Sequence, residues 1–245
     1  MAIIRIVTVT AVVMCLTLPA SAVVGPTVPD PGFAPHVIMV LMRRGGAAGF
    51  CSGLVVARDA VLTAAHCVTN PATMRLFYRD HGQPVMLNVA RIAINPSYHA
   101  DAQQKRIRTV DLALIESAAP LPMRFKPAQL STQASARLGE TFLIAGYGMG
   151  REGEAASTGV LRVAKIETRA PLSHILLWAE DPGNDGAGAC EGDSGAPIFE
   201  AKTLQAIAIT AWADGHGKRL CGAFTQGTFI APQSGWMSRV LQSWR

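Results

Sequence analysis

Short apolar runs separated by turn-forming residues recur along the chain. They are His36–Met42, Leu54–Ala57, Met74–Tyr78, Met86–Ile94, Asp111–Ile115, Thr141–Tyr147, Val160–Ile166, Ile175–Ala179, Ala196–Phe199, Leu204–Trp212 and Thr228–Ala231. Several are rich in Val and Ile, which fit a pleated, half-buried surface. Runs of this length, punctuated by Gly, Pro and Asn, predict an all-β sandwich or barrel and not alternating strands and helices. Two stretches break the pattern. Ala64–Val68 reads as a short helical turn. In Ser234–Arg245 the residues Trp236, Met237, Val240, Leu241 and Trp244 recur at helical spacing, so an amphipathic C-terminal helix is expected to dock on the body. Ala118–Ala136 is rich in Pro, Ala and Ser, lacks a strand pattern, and is expected to link two halves of similar size.

Composition narrows the class. The chain has 245 residues, 49% of them apolar and 16% charged, which excludes a disordered protein. No heptad, Gly-X-Y register or internal repeat is present. A chain of this length buries a core without help from a metal. The first 22 residues carry one charge, Arg5, then an apolar run from Ile6 to Leu18 and the ending Pro19-Ala20-Ser21-Ala22. This reads as a secretory signal, and the run is too short for a membrane anchor. A lipoprotein site at Cys15 is disfavoured because Met14 precedes it where a small residue belongs. Cleavage after Ala22 would remove Arg5 and Cys15, leaving a charge one below the +5 of the whole chain and the cysteines Cys51, Cys67, Cys190 and Cys221. An even count in an exported chain implies two disulfides. With no C-x-x-C and no zinc-like spacing, no metal is expected. Lys and Arg are scattered, so neither a nucleic-acid partner nor, once the signal is gone, a membrane is expected.

Three segments carry chemistry: Leu62-Thr63-Ala64-Ala65-His66-Cys67, Val110-Asp111-Leu112-Ala113-Leu114-Ile115 and Cys190-Glu191-Gly192-Asp193-Ser194-Gly195-Ala196-Pro197. Acyl transfer by a serine needs a base for the hydroxyl proton, a carboxylate to orient that base, and donors for the oxyanion. The order His, Asp, Ser separates this chain from α/β-hydrolases and subtilisins, which use other orders. Gly192–Ala196 mimics a nucleophile elbow, but Ala196 replaces its second Gly. Gly148–Gly153 is a literal G-x-G-x-x-G, but the next residues, Glu154 to Gly159, end in Gly and do not read as a helix, so no nucleotide is expected.

With these motifs the sequence resembles the trypsin/chymotrypsin-like serine proteases. Asn95-Pro96-Ser97-Tyr98, Ala145-Gly146-Tyr147-Gly148 and Ala211-Trp212 add to the match, which covers essentially all of the chain after Ala22. The resemblance implies two six-stranded antiparallel β-barrels of the chymotrypsin type with a C-terminal α-helix. Residues 23–130 would hold His66 and Asp111, and residues 131–245 would hold Ser194 and the helix. It implies Ser194 as nucleophile, His66 as base then acid, Asp111 as its orienting carboxylate, and the N–H groups of Gly192 and Ser194 as the oxyanion hole. It pairs Cys51 with Cys67 and Cys190 with Cys221. It puts Gly188, Ala189, Ala211, Trp212, Ala213 and Gly227 around the substrate pocket, and makes Thr210–Ala213 the edge that pairs with substrate.

Departures from the family shape the expectation. Gly188 stands where trypsin-type members have Asp, so small to medium apolar residues are expected before the cut bond. The methyl of Ala213 should narrow the slot, and Asp185 could reach it only after a loop rearrangement. Ala211 replaces a common Ser that bonds the triad Asp. A freed Val23 ammonium would pair with Asp193, although Pro26 departs from the usual Gly. The loop of Asp80 lacks the paired acids of the calcium site found in some relatives. No cofactor is implied; partners would be protein or peptide substrates and protein protease inhibitors. The alternative is a catalytically weak or inactive binding module on the same fold.

Overall fold

The computed structural model describes residues 23–28, 30 and 32–245, so the signal reading of residues 1–22 lies outside the described residues. Twelve strands are present among them. β1 (Val37–Arg44), β2 (Ala47–Val55), β3 (Ala60–Thr63), β4 (Met74–Asp80), β5 (Gln83–Ile94) and β6 (Ala113–Ser117) close a barrel in the order β1-β2-β3-β6-β5-β4. β7 (Thr141–Gly146), β8 (Arg162–Thr168), β9 (Leu176–Glu180), β10 (Pro197–Glu200), β11 (Ala206–Asp214) and β12 (Phe224–Phe229) close a second barrel in the order β10-β11-β12-β9-β8-β7. All pairings within both are antiparallel.

The near-continuous apolar runs have a simple cause. Successive strand side chains point to opposite faces, and here both faces are covered. On β1, Ile38, Val40 and Met42 fill the first barrel while Val37 enters a second apolar cluster. On β6, Ala113 and Ile115 point into the barrel and Leu114 points out into that cluster. On β10, Ile198 fills the second barrel and Phe199 turns to the shared cluster. Phe33 stacks on Phe199 there, with ring centroids 3.8 Å apart. This seam joins the barrels, and burying one such ring contributes about 1.5–3 kcal/mol.

A helix, α2 (Ser234–Ser243), seals the seam with Trp236, Met237, Val240 and Leu241; a short α1 (Ala102–Lys105) precedes Asp111. Although α2 follows the second barrel, it is tied to the first. Arg91 of β5 pairs with Glu116 and donates to the Trp244 carbonyl at 2.9 Å, and Asn95 donates to Gln233 Oε1 at 3.0 Å.

Three strands differ most from the sequence expectation. β2 begins seven residues before Leu54, in a stretch of Ala, Gly, Cys and Ser in which Phe50 is the one strong strand former. It is held by full register against β1, from Val37↔Leu54 to Arg44↔Ala47, through a Gly45-Gly46 turn with φ of 56° and 88°. A two-residue turn with both φ positive needs glycine or a near equivalent. β12 starts at Phe224, ahead of the Thr228 run, because β9 and β11 flank it. β3 was not expected; it is only four residues long and lies between β2 and β6. The 118–140 connection between the barrels is not loose: Leu121 and Phe125 are buried in the first core and the Ser131 hydroxyl bonds Glu200.

Candidate active site

His66 lies on a single 3₁₀ turn, Ala65–Cys67, just after β3. The Cys51–Cys67 disulfide ties that turn back to β2, and the Arg44 guanidinium donates to the His66 carbonyl at 2.7 Å. Asp111 lies two residues before β6, between the buried Val110 and Leu112, and its carboxylate is only 12% exposed. Both carboxylate oxygens reach His66: Oδ2 is 2.7 Å from Nδ1, and Oδ1 accepts the His66 backbone N–H at 3.0 Å. This two-point grip fixes the ring orientation. With the carboxylate ionised, the favoured tautomer carries its proton on Nδ1 and leaves the Nε2 lone pair free.

Ser194 sits in a tight turn built from backbone bonds. Asp193 N–H donates to the Cys190 carbonyl at 3.0 Å, Gly195 N–H to the Thr210 carbonyl at 2.7 Å, and the Ser52 N–H to the Ser194 carbonyl at 2.8 Å. Gly195 has φ of +81°, and a Cβ there would strike Thr63 Oγ1 and lie 3.2 Å from Ala64 N. The Ser194 turn therefore abuts the segment leading into His66. Among the described residues, however, no hydrogen bond joins the Ser194 hydroxyl to the imidazole. Of the sequence-expected trio, His66 and Asp111 are bonded, and the turn that carries Ser194 lies against the segment leading into His66.

Asp193 is wholly buried. Its Oδ1 accepts Gly148 N–H at 2.9 Å and its Oδ2 accepts Cys190 N–H at 3.0 Å. Gly148 is required here, since a Cβ on it would sit 2.5 Å from the Asp193 Cγ. Burial pushes the Asp193 carboxyl up to about 7, against the two backbone bonds and the Arg162 charge, which pull it down. Val23 is also fully buried, in the second core, and the Val24 carbonyl accepts the Gly188 N–H at 3.2 Å. No bond joins Val23 to Asp193 among the described residues.

The expected pocket residues separate into two groups. Gly188 and Ala189 are buried, and Ala213 on β11 pairs with Thr225 on β12. Thr225 is 1% exposed, and its hydroxyl accepts the Ala189 N–H at 3.1 Å. Gly227 pairs instead with Thr210, and its Cα faces Ile198 and Ala208 inside the second barrel. The residue across from Ala213 is therefore Thr225, which sequence reasoning missed. The β11–β12 register shifts between Thr210 and Trp212, a bulge at Ala211 that no sequence pattern announces.

The edge of β11 opposite β12 pairs with β10 only as far as Ile209, leaving the edge open at Ala211–Ala213. Asp185 is exposed; Asp181 ties the loop before Gly188, accepting the Gly183, Gly186 and Ala187 N–H groups. Burial pushes the Asp181 carboxyl up, but these bonds prevail and hold it below the usual carboxylate range. Behind this loop lies a cavity of about 600 Å³, lined in part by Glu180, Asp181, His216 and Arg219. Cys51, His66 and Cys67 converge as metal ligands would, but both sulfurs are committed to their disulfide; Cys190 pairs with Cys221. Within Gly148–Gly153 the Gly150 and Arg151 N–H groups are taken by the Ser157 hydroxyl.

Comparison with known proteins places the chain in a family. The sequence profile of the Trypsin family matches residues 23–231. The chain belongs to the trypsin family. The match covers both barrels of this trypsin-family chain, which is a serine endopeptidase of the trypsin/chymotrypsin type. Kallikrein-8 of Mus musculus is 27% identical over 209 residues, 79% of this chain and 77% of that protein. A trypsin-like protease of Streptomyces glaucescens is 27% identical over 206 residues, 74% of this chain and 72% of its own. A scabies mite inactivated protease paralogue superposes with a TM-score of 0.69 at 22% identity, covering 90% of this chain and 99% of that one. At that identity the likeness shows the fold alone. No helix among the described residues is long and apolar enough to cross a membrane.

Proposed function

We propose that this trypsin-family enzyme is exported, cuts protein or peptide chains through a Ser194 acyl-enzyme, and prefers a small to medium apolar residue before the cut bond. The observation that carries the mechanism is the two-point bond from Asp111 to His66 beside the Ser194 turn. Nε2 takes the Ser194 proton as Oγ bonds the substrate carbonyl carbon, and the carbonyl electrons move onto oxygen. The Gly192 and Ser194 N–H groups receive that oxyanion. Collapse expels the amine, which takes the proton from Nε2; water then repeats the cycle and releases the acid. Asp111 stays ionised throughout and balances the transient imidazolium.

Export is supported by the apolar start of the chain and by two disulfides, which persist in oxidising compartments. Signal removal at Ala22 would itself free Val23, whose ammonium would then meet Asp193 without a separate propeptide. N-terminal sequencing of secreted protein should return Val23 first. Substrate, or a protein inhibitor, would add a strand along the open edge at Ala211–Ala213.

Specificity follows from the residues that fill the slot. Gly188 offers no carboxylate to a Lys or Arg side chain, while the Thr225 side chain stands across from Ala213. Thr225→Gly is expected to raise kcat/KM for a Phe substrate relative to an Ala substrate by about tenfold or more, since each methylene in an apolar pocket counts for roughly that. A peptide-nitroanilide series checks it; an unchanged ratio removes Thr225 from the pocket. The nucleophile assignment is tested by diisopropyl fluorophosphate. One label on Ser194 is expected by mass spectrometry, and a processed chain that resists labelling would instead be a binding module.

A further inference from the structure

Ser52 is a buried polar side chain with no part in the chemistry described so far. It follows Cys51 on β2 and has no exposed surface. Its hydroxyl donates to the Gly192 carbonyl at 3.1 Å and accepts the Tyr147 N–H at 3.0 Å. Its backbone is also committed: the N–H donates to the Ser194 carbonyl at 2.8 Å, and the carbonyl accepts the Thr63 hydroxyl at 2.7 Å. One residue of the first barrel thus holds the carbonyls on both sides of Asp193, together with the chain leaving β7.

Gly192 is the natural pivot of that turn. Its φ is +91°, and the Phe50 ring occupies the space that a side chain would need. Two peptide planes meet at its Cα. The plane before it carries the Gly192 N–H, and the bond from Met149 N–H to the Glu191 carbonyl, 2.8 Å, fixes that plane. The plane after it is held by the Ser52 hydroxyl. Glycine has the broadest backbone freedom of any residue, so a plane released at Gly192 rotates at little cost. An oxyanion donor turned away from the developing charge stabilises it poorly, because the benefit comes from orientation set in advance.

We infer that Ser52 is a positioning residue for the oxyanion site. Its hydroxyl latches the Gly192 carbonyl and so fixes the Gly192–Asp193 peptide plane, which links the plane carrying the Gly192 N–H to the turn carrying the Ser194 N–H. This rests on the reading of Gly192 and Ser194 as the oxyanion donors. The latch joins the first barrel to a turn of the second, so the turn is aligned only when the barrels are docked.

The test uses Ser52→Ala in the processed enzyme, with Ser52→Gly as a second variant that keeps both backbone bonds and demands less space. Complete loss of an oxyanion donor costs about 10²–10³-fold in kcat. A donor that is loosened and not removed should cost about tenfold. The expected result is a tenfold fall in kcat with KM within twofold of wild type. The inhibition constant of a peptide aldehyde, whose adduct carries the oxyanion, should rise by the same factor. A general loss of packing would lower the melting temperature without that parallel. If either folded variant keeps kcat and aldehyde affinity within twofold of wild type, the latch is refuted. So it is if the whole loss falls in KM. Wild-type labelling by diisopropyl fluorophosphate separates the two failures: labelled wild type with unaffected variants removes only the Ser52 role, whereas unlabelled wild type removes the oxyanion reading beneath it.

Discussion

Replacing Asp111 by Asn should lower kcat by about 10⁴-fold, the magnitude characteristic of triads of this type. The structure gives the reason. Asp111 Oδ2 faces the His66 Nδ1 at 2.7 Å, while Oδ1 accepts the His66 N–H at 3.0 Å. An asparagine can keep the second bond through its carbonyl oxygen. Its NH₂ group then faces Nδ1, which must become an acceptor, and the ring proton moves to Nε2. In that tautomer the imidazole cannot take the Ser194 proton. Because Ala211 stands where many relatives have a serine, no hydroxyl from that position helps hold the carboxylate. KM should change by no more than a few fold and the circular dichroism should match wild type. Steady-state kinetics on a peptide nitroanilide decide it. A kcat within tenfold of wild type would mean that Asp111 does not orient the ring.

The second large effect is expected at Asp193. Asp193→Asn leaves one acceptor where two buried N–H groups, of Gly148 and Cys190, now find one oxygen each. The orphaned donor costs about 1–3 kcal/mol, and the Ser194 turn loses its buried anchor. Activity should drop about 10²–10³-fold, as when an oxyanion donor is lost. Asp193 also gives stability a pH signature. Its folded carboxyl stands at about 7 because of burial, whereas an unfolded Asp titrates near ~3.9. The neutral form is therefore the one the fold prefers. The corresponding stability is fully present below the unfolded value and is lost as pH rises through about 7. A chain that still carries residues 1–22 should thus melt at progressively lower temperature from pH 4.5 to 7.5, relative to Asp193→Asn. Once Val23 is free, its ammonium should flatten that difference by holding the carboxylate ionised. Melting curves of both forms across this window test the pairing; parallel curves would dissociate Val23 from Asp193.

Much of this was legible in the sequence because it is carried by local chemistry. The His66, Asp111 and Ser194 segments each place a reactive side chain beside buried apolar neighbours or glycines, and such settings survive without knowledge of the fold. The strands were legible where Val and Ile gather, and the helix where tryptophans repeat at helical spacing. The features that stayed hidden depend on partners distant along the chain. Ala47–Gly53 is a strand only because β1 lies beside it. The place of Thr225 depends on a bulge at Ala211, without which Phe224 would lie across from Ala213. Ser52 looks like any small strand residue until Gly192 and Tyr147 are brought to it. Nothing in the sequence foretold that Asp181, and not Asp185, would organise the loop before Gly188.

The imidazole and the carboxylate come from one barrel and the hydroxyl from the other, and the Phe33–Phe199 stack lies in the apolar cluster the barrels share. With the three residues acting as proposed, a nascent polypeptide would hold no cutting power while its second half is still being made.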